Sequence, residues 1–85
     1  MKALAQFVKQ RNAFNKVFGG KELTLTDAAD RQRIADIIDS ALSPENLTCD
    51  GELSASQVRS RYRELTTVAK ELKALDPSVK FYEFA

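Results

Sequence analysis

Apolar residues that recur at intervals of three and four constrain the fold of this chain more than any other feature. Such spacing places the residues on one face of a helix, and it predicts helices over 3–18, 27–42 and 55–75. Gly19 and Gly20 supply the stop of the first helix, because glycine adopts the left-handed conformation without a steric penalty. One face of each helix is expected to form the core. Its predicted members are Leu4, Phe7, Phe14, Phe18, Ile34, Ile37, Ile38, Leu42, Val58, Leu65, Ala69 and Leu72.

Local sequence patterns predict where the later helices begin. Thr26 or Asp27 is expected to cap the second helix. Before the third helix, Ser54 stands at the N-cap position and Gln57 three residues later, which is a capping box. A proline after a serine predicts a short extra helical turn over 44–48. The stretch between the helices is therefore interpreted as a connector, whose tip can present a recognition surface.

The segments outside the helices leave one structural question open. Leu23 and Leu25 alternate with polar residues, which suits a short extended piece. The end of the chain is too apolar for a free tail. It either pairs with the extended piece, 22–25 with 79–84, or lies across the bundle. The expected fold class is therefore all-α, a small three-helix domain spanning 1–85, with the extra turn and this minimal two-strand pairing as additions.

Composition excludes several classes of function. The 85 residues include no His and one Cys, which removes most zinc sites and the common catalytic triads. Cys49 has no His to generate a thiolate, so we expect a buried or idle residue. No cofactor, metal or small-molecule substrate is indicated. The absence of a leader and of a long apolar run favours a soluble cytoplasmic protein with no membrane contact, of the type found as bacterial or phage accessory genes.

Charge is unevenly distributed along the chain. Residues 1–20 hold four bases and no acid, whereas residues 21–53 hold three bases and eight acids. Two basic ridges are predicted, one on each outer helix. They consist of Lys2, Lys9 and Lys16 on the first helix, and of Arg59, Arg63 and Lys70, with Lys73 at the edge, on the third. These ridges either are solvated or paired with the acidic second helix, or they contact nucleic-acid phosphates.

Two further features are candidates for binding a partner. Arg11 falls within the apolar face of the first helix, where a charge needs a partner. It either pairs with Asp30 or belongs to a binding surface, where arginine is enriched. The C-terminal aromatics Phe81, Tyr82 and Phe84 either pack on the bundle or anchor a partner or a second copy.

Three classes of function therefore remain. The preferred one is a small non-enzymatic accessory or adaptor protein that binds another protein or forms a homodimer. The alternative is a nucleic-acid-binding or transcription-modulating protein that uses the basic ridges. An enzyme is the least favoured, because no pair of acids stands out from a solvated helix face. The connection between the second and third helices is also far longer than the turn of about three or four residues in a helix-turn-helix motif.

Overall fold

The protein is all-helical over the residues that its computed structural model describes, which are 2–46 and 54–82. Its three helices are α1 (Lys2–Val17), α2 (Ala28–Ala41) and α3 (Ala55–Leu75). The prediction of a small three-helix domain is confirmed. Helices α1 and α2 both pack against α3, whereas contacts between α1 and α2 are sparse.

Helix α1 ends in a Schellman motif. The Gly20 N–H donates to the Asn15 carbonyl at 2.6 Å and the Gly19 N–H donates to the Lys16 carbonyl at 3.3 Å. Gly19 has a φ of 73°, a conformation that residues with a Cβ adopt only at a cost. The predicted stop is therefore made by the two glycines in succession.

Side-chain caps start the other two helices. Asp27, not Thr26, caps α2 by accepting from the Ala29 and Asp30 N–H groups, and these bonds, that from Asp30 foremost, lower the pKa of its carboxyl. Ser54 and Gln57 form the predicted capping box at the start of α3. Local chemistry thus sets both starts.

The core contains residues from all three helices and from two extended segments. Its fully or nearly buried apolar members are Leu4, Val8, Leu23, Ile34, Ala35, Ile38, Leu42, Leu65, Val68, Ala69, Leu72 and Val79. Phe7 and Ile37 are partly buried against them, and Val58 is half-buried. Phe14 and Phe18 were predicted as core residues, and this is wrong, since 51% and 74% of their surfaces are exposed.

Side-chain amides, not a partner strand, hold the two extended segments. Asn12 of α1 donates from Nδ2 to the Leu23 carbonyl and accepts the Leu23 N–H at Oδ1, both at 2.8 Å. Gln32 of α2 does the same to Lys80, donating to its carbonyl at 3.1 Å and accepting its N–H at 3.0 Å. We call these two pairs of bonds the amide clamps.

The predicted pairing of 22–25 with 79–84 is not confirmed, because no residue within 2–46 and 54–82 lies in a strand. The amide clamps occupy backbone groups that a ladder would use. The predicted helical turn over 44–48 is not confirmed either. The chain forms a turn up to Asn46, whose N–H donates to the Ser43 carbonyl at 3.0 Å. Residues 47–48 of the predicted helical turn and residues 83–84 of the predicted strand pairing lie outside the described residues.

Arg31 joins the first extended segment to the end of α3. Its Nε donates to Asp76 at 2.6 Å and an Nη to the Leu25 carbonyl at 2.9 Å. The pKa of Asp76 falls to about 2, because Ser78 and then Arg31 donate hydrogen bonds to its carboxylate. One cation thus bridges two segments that lie far apart in the sequence.

Candidate functional site

Arg11 does not pair with Asp30, so that prediction is wrong. Asp30 accepts the Thr24 N–H at 3.1 Å, and the cations near it are Lys21 and Arg33, at 4.0 and 3.9 Å. Those separations fall within ion-pair range but beyond hydrogen-bond reach, which is why its Oδ1 has no hydrogen-bond donor. The buried carboxylate of α2 is therefore held by the segment before it and not by α1.

Arg11 packs instead on the ring of Phe14. Its Cζ lies 5.0 Å from the ring centroid, within the range of a cation–π interaction. The side chain is half-buried, and its Nε is buried with no hydrogen-bond acceptor among the residues that the structure describes. A buried donor in this state is under-satisfied, and the guanidinium as a whole has no carboxylate within ion-pair distance among the described residues.

An apolar patch lies at the C-terminal end of α1. Phe14, Val17 and Phe18 are all exposed, Val17 by 79%, and the two rings contact each other with centroids 4.8 Å apart. We call these three residues the α1 patch. The buried residues of α1, Leu4 and Val8, both lie in its first half. The second half of the helix thus directs large apolar side chains toward solvent.

A groove continues from this patch between the helices. It has two adjoining parts, of about 460 and 220 Å³, which share Arg11, Ile37, Ala41 and Arg61. The lining residues are Phe7, Gln10, Arg11 and Phe14 of α1, Asp36, Ile37, Ser40 and Ala41 of α2, Asn46 beyond α2, and Arg61 and Leu65 of α3. We call this the interhelical groove. Its walls combine apolar surface with two guanidinium groups.

The two described C-terminal aromatics, Phe81 and Tyr82, differ in their burial. Phe81 is half-buried and packs against the core. Tyr82 is 79% exposed, although its backbone N–H donates to Asp39 at 2.9 Å. Phe84 lies outside the described residues. Among the predicted partner-binding residues that the structure describes, Arg11 is the one that lies beside the α1 patch.

The basic ridge of α3 separates into two kinds of residue. Arg59, Arg63 and Lys70 are exposed, and none of them has a carboxylate within ion-pair distance among the described residues. Lys73 differs, because its Nζ donates to the Val79 carbonyl at 2.5 Å. Arg59 and Arg63 also line a surface pocket of about 410 Å³ with Tyr62. Helix α2 does not neutralise this ridge.

The described residues contain neither a metal-binding group nor a membrane-spanning helix. No group of carboxylate, thiol or imidazole side chains there could hold a metal ion. None of the described helices has the length and apolarity needed to cross a membrane. Cys49 lies outside the described residues.

Sequence reasoning missed the α1 patch and Arg61. Phe14 and Phe18 were predicted to lie in the core because their spacing continues that of Leu4, and Val17 was not considered. A contrary signal was present, since Arg11, Asn12 and Asn15 introduce three polar side chains into the second half of this face. Arg61 gave no signal, because a charge on a long exposed helix is ordinary.

The fold and these surfaces define a small three-helix domain with an exposed aromatic patch and an arginine-lined groove. Comparisons with protein-family models, with curated proteins and with solved structures found no match to this chain.

Proposed function

We propose that this protein is a small non-enzymatic accessory or adaptor protein that binds another protein through the α1 patch and the adjoining interhelical groove. The observation that carries the proposal is the exposure of Phe14, Val17 and Phe18 on one end of one helix. We further propose that it acts in the cytoplasm without a cofactor and is a bacterial or phage accessory protein.

The energetics of burial support this use of the patch. Burying an exposed Val or Phe side chain contributes about 1.5–3 kcal/mol, and aromatic and arginine residues dominate binding energy at protein interfaces. In the free protein the α1 patch forgoes that contribution. Its three side chains and Arg11 fall within the last two turns of α1 and the residue after it, so a single partner surface can cover them together.

The test compares two candidate surfaces on the same chain. A partner is isolated with the tagged protein, purified and titrated against the wild type, against Phe14→Ala/Phe18→Ala and against Tyr82→Ala. We expect the double variant to bind at least about tenfold more weakly, which corresponds to about 1.4 kcal/mol, and Tyr82→Ala to bind normally. Because all three side chains are exposed, thermal unfolding should change little.

The reverse pattern would move the interface to the C-terminal segment. Sedimentation of the free protein tests the homodimer form of the proposal, since self-association lost in Phe14→Ala/Phe18→Ala would identify a second copy as the partner. If no partner can be purified and the free protein does not self-associate, the protein-binding function is overturned.

A second candidate function, nucleic-acid binding, is favoured by a separate observation. Arg59, Arg63 and Lys70 are exposed and have no carboxylate partner in the described parts of the chain. Lys and Arg contacts with phosphates make affinity fall log-linearly with salt. Fluorescence anisotropy with a DNA duplex and a single strand at several salt concentrations should show this slope.

Variants that remove cations on and away from the ridge localise any such binding. Arg59→Gln/Arg63→Gln should reduce the salt slope by about two phosphate contacts. Lys80→Gln, which removes an exposed cation elsewhere, should reduce it by less. An absence of binding at low salt would reject this function and leave the ridge as a solvated face.

A further inference from the structure

We propose that the interhelical groove binds an amphipathic helix of another protein that carries carboxylates beside its apolar stripe. This inference rests on the proposed protein-binding function and names the chemistry of the partner. It follows from the kind of walls that the groove has, from the charges on those walls and from the charges of the chain's own helices.

The walls of the groove select a helix over an extended peptide. Residues of α1, α2 and α3 form nearly all of its lining, and the backbone groups of a helix interior are already hydrogen-bonded to one another. An extended peptide would therefore find no strand edge to pair with, and its own backbone groups would be desolvated without partners. An incoming helix satisfies its backbone internally and needs only side-chain contacts.

The apolar part of the groove has the spacing of a helix-packing surface. Phe7 and Phe14 are seven residues apart on α1, which is about two turns, and Ile37 and Ala41 are four residues apart on α2. Leu65 of α3 lies between these walls. An apolar stripe at intervals of three and four residues matches such ridges.

The charges of the groove select carboxylates. Arg11 and Arg61 both line it, and Asp36 is the one acidic residue among its described lining. Neither guanidinium has a carboxylate within ion-pair distance among the described residues, so a carboxylate brought into the groove would form a charge-assisted hydrogen bond that the free protein lacks. Helix α1 contains no acid, so nothing on this wall offsets the two guanidinium groups.

The same charges disfavour a second copy of this chain as the occupant. Another α1 would bring its own Arg11, which packs on Phe14, against these cations, and like charges in contact oppose association. The acidic helix α2 has the appropriate sign, but its apolar residues Ile34 and Ile38 are fully buried in its own core. An acidic helix from a different protein therefore fits the groove better than α1 or α2 of a second copy.

The experiment uses a phage-displayed library of 16-residue peptides with randomised positions, selected against the full-length protein. Enriched peptides are synthesised with a fluorophore and titrated by anisotropy against the wild type, Arg11→Gln, Arg61→Gln and Arg59→Gln. Arg59→Gln is the matched control, because it removes an equal charge from α3 at an exposed position outside the groove. Circular dichroism of each peptide with and without protein reports helix formation.

We expect the enriched peptides to have apolar residues at helical spacing flanked by Asp or Glu, and to gain helicity on binding. Loss of one charge-assisted bond should weaken binding about tenfold for Arg11→Gln. Arg61→Gln, an exposed substitution that leaves the fold intact, should weaken it similarly, and Arg59→Gln by less than about twofold.

Other outcomes separate this inference from the proposed function. Basic peptides, peptides without helical spacing, or equal losses for Arg59→Gln and Arg11→Gln would overturn the groove assignment. If peptides are enriched but their binding depends on Tyr82 and not on either groove arginine, protein binding stands and the groove inference fails. If no peptide is enriched, the groove inference fails, whereas the proposed function is decided by the isolation of a partner and by sedimentation of the free protein.

Discussion

Replacing Asn12 with Ala should destabilise the protein by about 2 kcal/mol. The substitution removes two hydrogen bonds of 2.8 Å to the backbone of Leu23, each worth about 0.5–1.5 kcal/mol net. Leu23 is only 6% exposed, so water reaches its freed N–H and carbonyl poorly, and the upper half of that range applies. Better helix propensity of Ala recovers roughly half a kcal/mol.

Asn15→Ala is the matched control for this experiment. It makes the same chemical change one turn later in α1, and the gain in helix propensity is about equal. Asn15 contributes a single exposed side-chain bond of 3.4 Å to the Lys21 carbonyl, which is near the limit for a hydrogen bond. The difference between Asn12→Ala and Asn15→Ala therefore isolates the amide clamp from the effect of placing Ala in a helix.

Thermal unfolding followed by circular dichroism provides the assay. For a domain of this size, about 1 kcal/mol corresponds to a Tm shift of roughly 4–8 °C, so Asn12→Ala should melt about 8–16 °C below the wild type. Asn15→Ala should melt within a few degrees of it. Hydrogen exchange at the Leu23 amide should accelerate in Asn12→Ala. Equal Tm values for the two variants would refute the account of how this segment is held.

The remaining predictions concern a cap, a charge and a turn. Ser54→Ala should cost about 1 kcal/mol in urea unfolding, because α3 loses its N-cap; an unchanged midpoint would mean that the cap contributes nothing. Since the pKa of folded Asp76 is about 2, below the ordinary 3.8, its ionised form stabilises the fold above pH of about 4, and this contribution disappears as the pH falls toward 2. The stability difference between the wild type and Asp76→Asn should accordingly shrink between pH 5 and pH 2.5, and a constant difference would contradict the role of the hydrogen bonds from Ser78 and Arg31. Gly19→Ala should lower the free energy of unfolding by about 1 kcal/mol, because its φ of 73° is strained for any residue with a Cβ; a gain in stability would contradict this.

The helices were predictable because their signals are local. Ser54 and Gln57 form their capping box within one turn of chain, and Gly19 and Gly20 end α1 by bonds to residues a few positions earlier. A sequence contains both partners of such bonds side by side. The predicted helix ranges therefore agree with the observed ones to within one residue at each end.

The candidate site was less predictable because it depends on which faces the other helices cover. Periodicity states that Phe14 belongs to an apolar face, but not that α1 is buried only in its first half. The predicted partner of Arg11 was wrong for the same reason, since the segment before α2, and not α1, lies against Asp30 and donates to it through the Thr24 N–H. Val68 and Val79, both fully buried, were omitted because their burial depends on tertiary contacts.

The amide clamps also determine which positions can change without loss of the fold. The hydrogen bonds between Gln32 and Lys80 involve only the backbone N–H and carbonyl of Lys80. The clamp therefore does not depend on the side chain at position 80 and excludes only proline, which has no N–H. At position 80 the side chain that makes the contact is therefore the one on α2, and Lys80 contributes only its backbone. A saturation-mutagenesis scan would find position 80 tolerant and position 32 restrictive, the reverse of what a strand ladder with paired side chains would require.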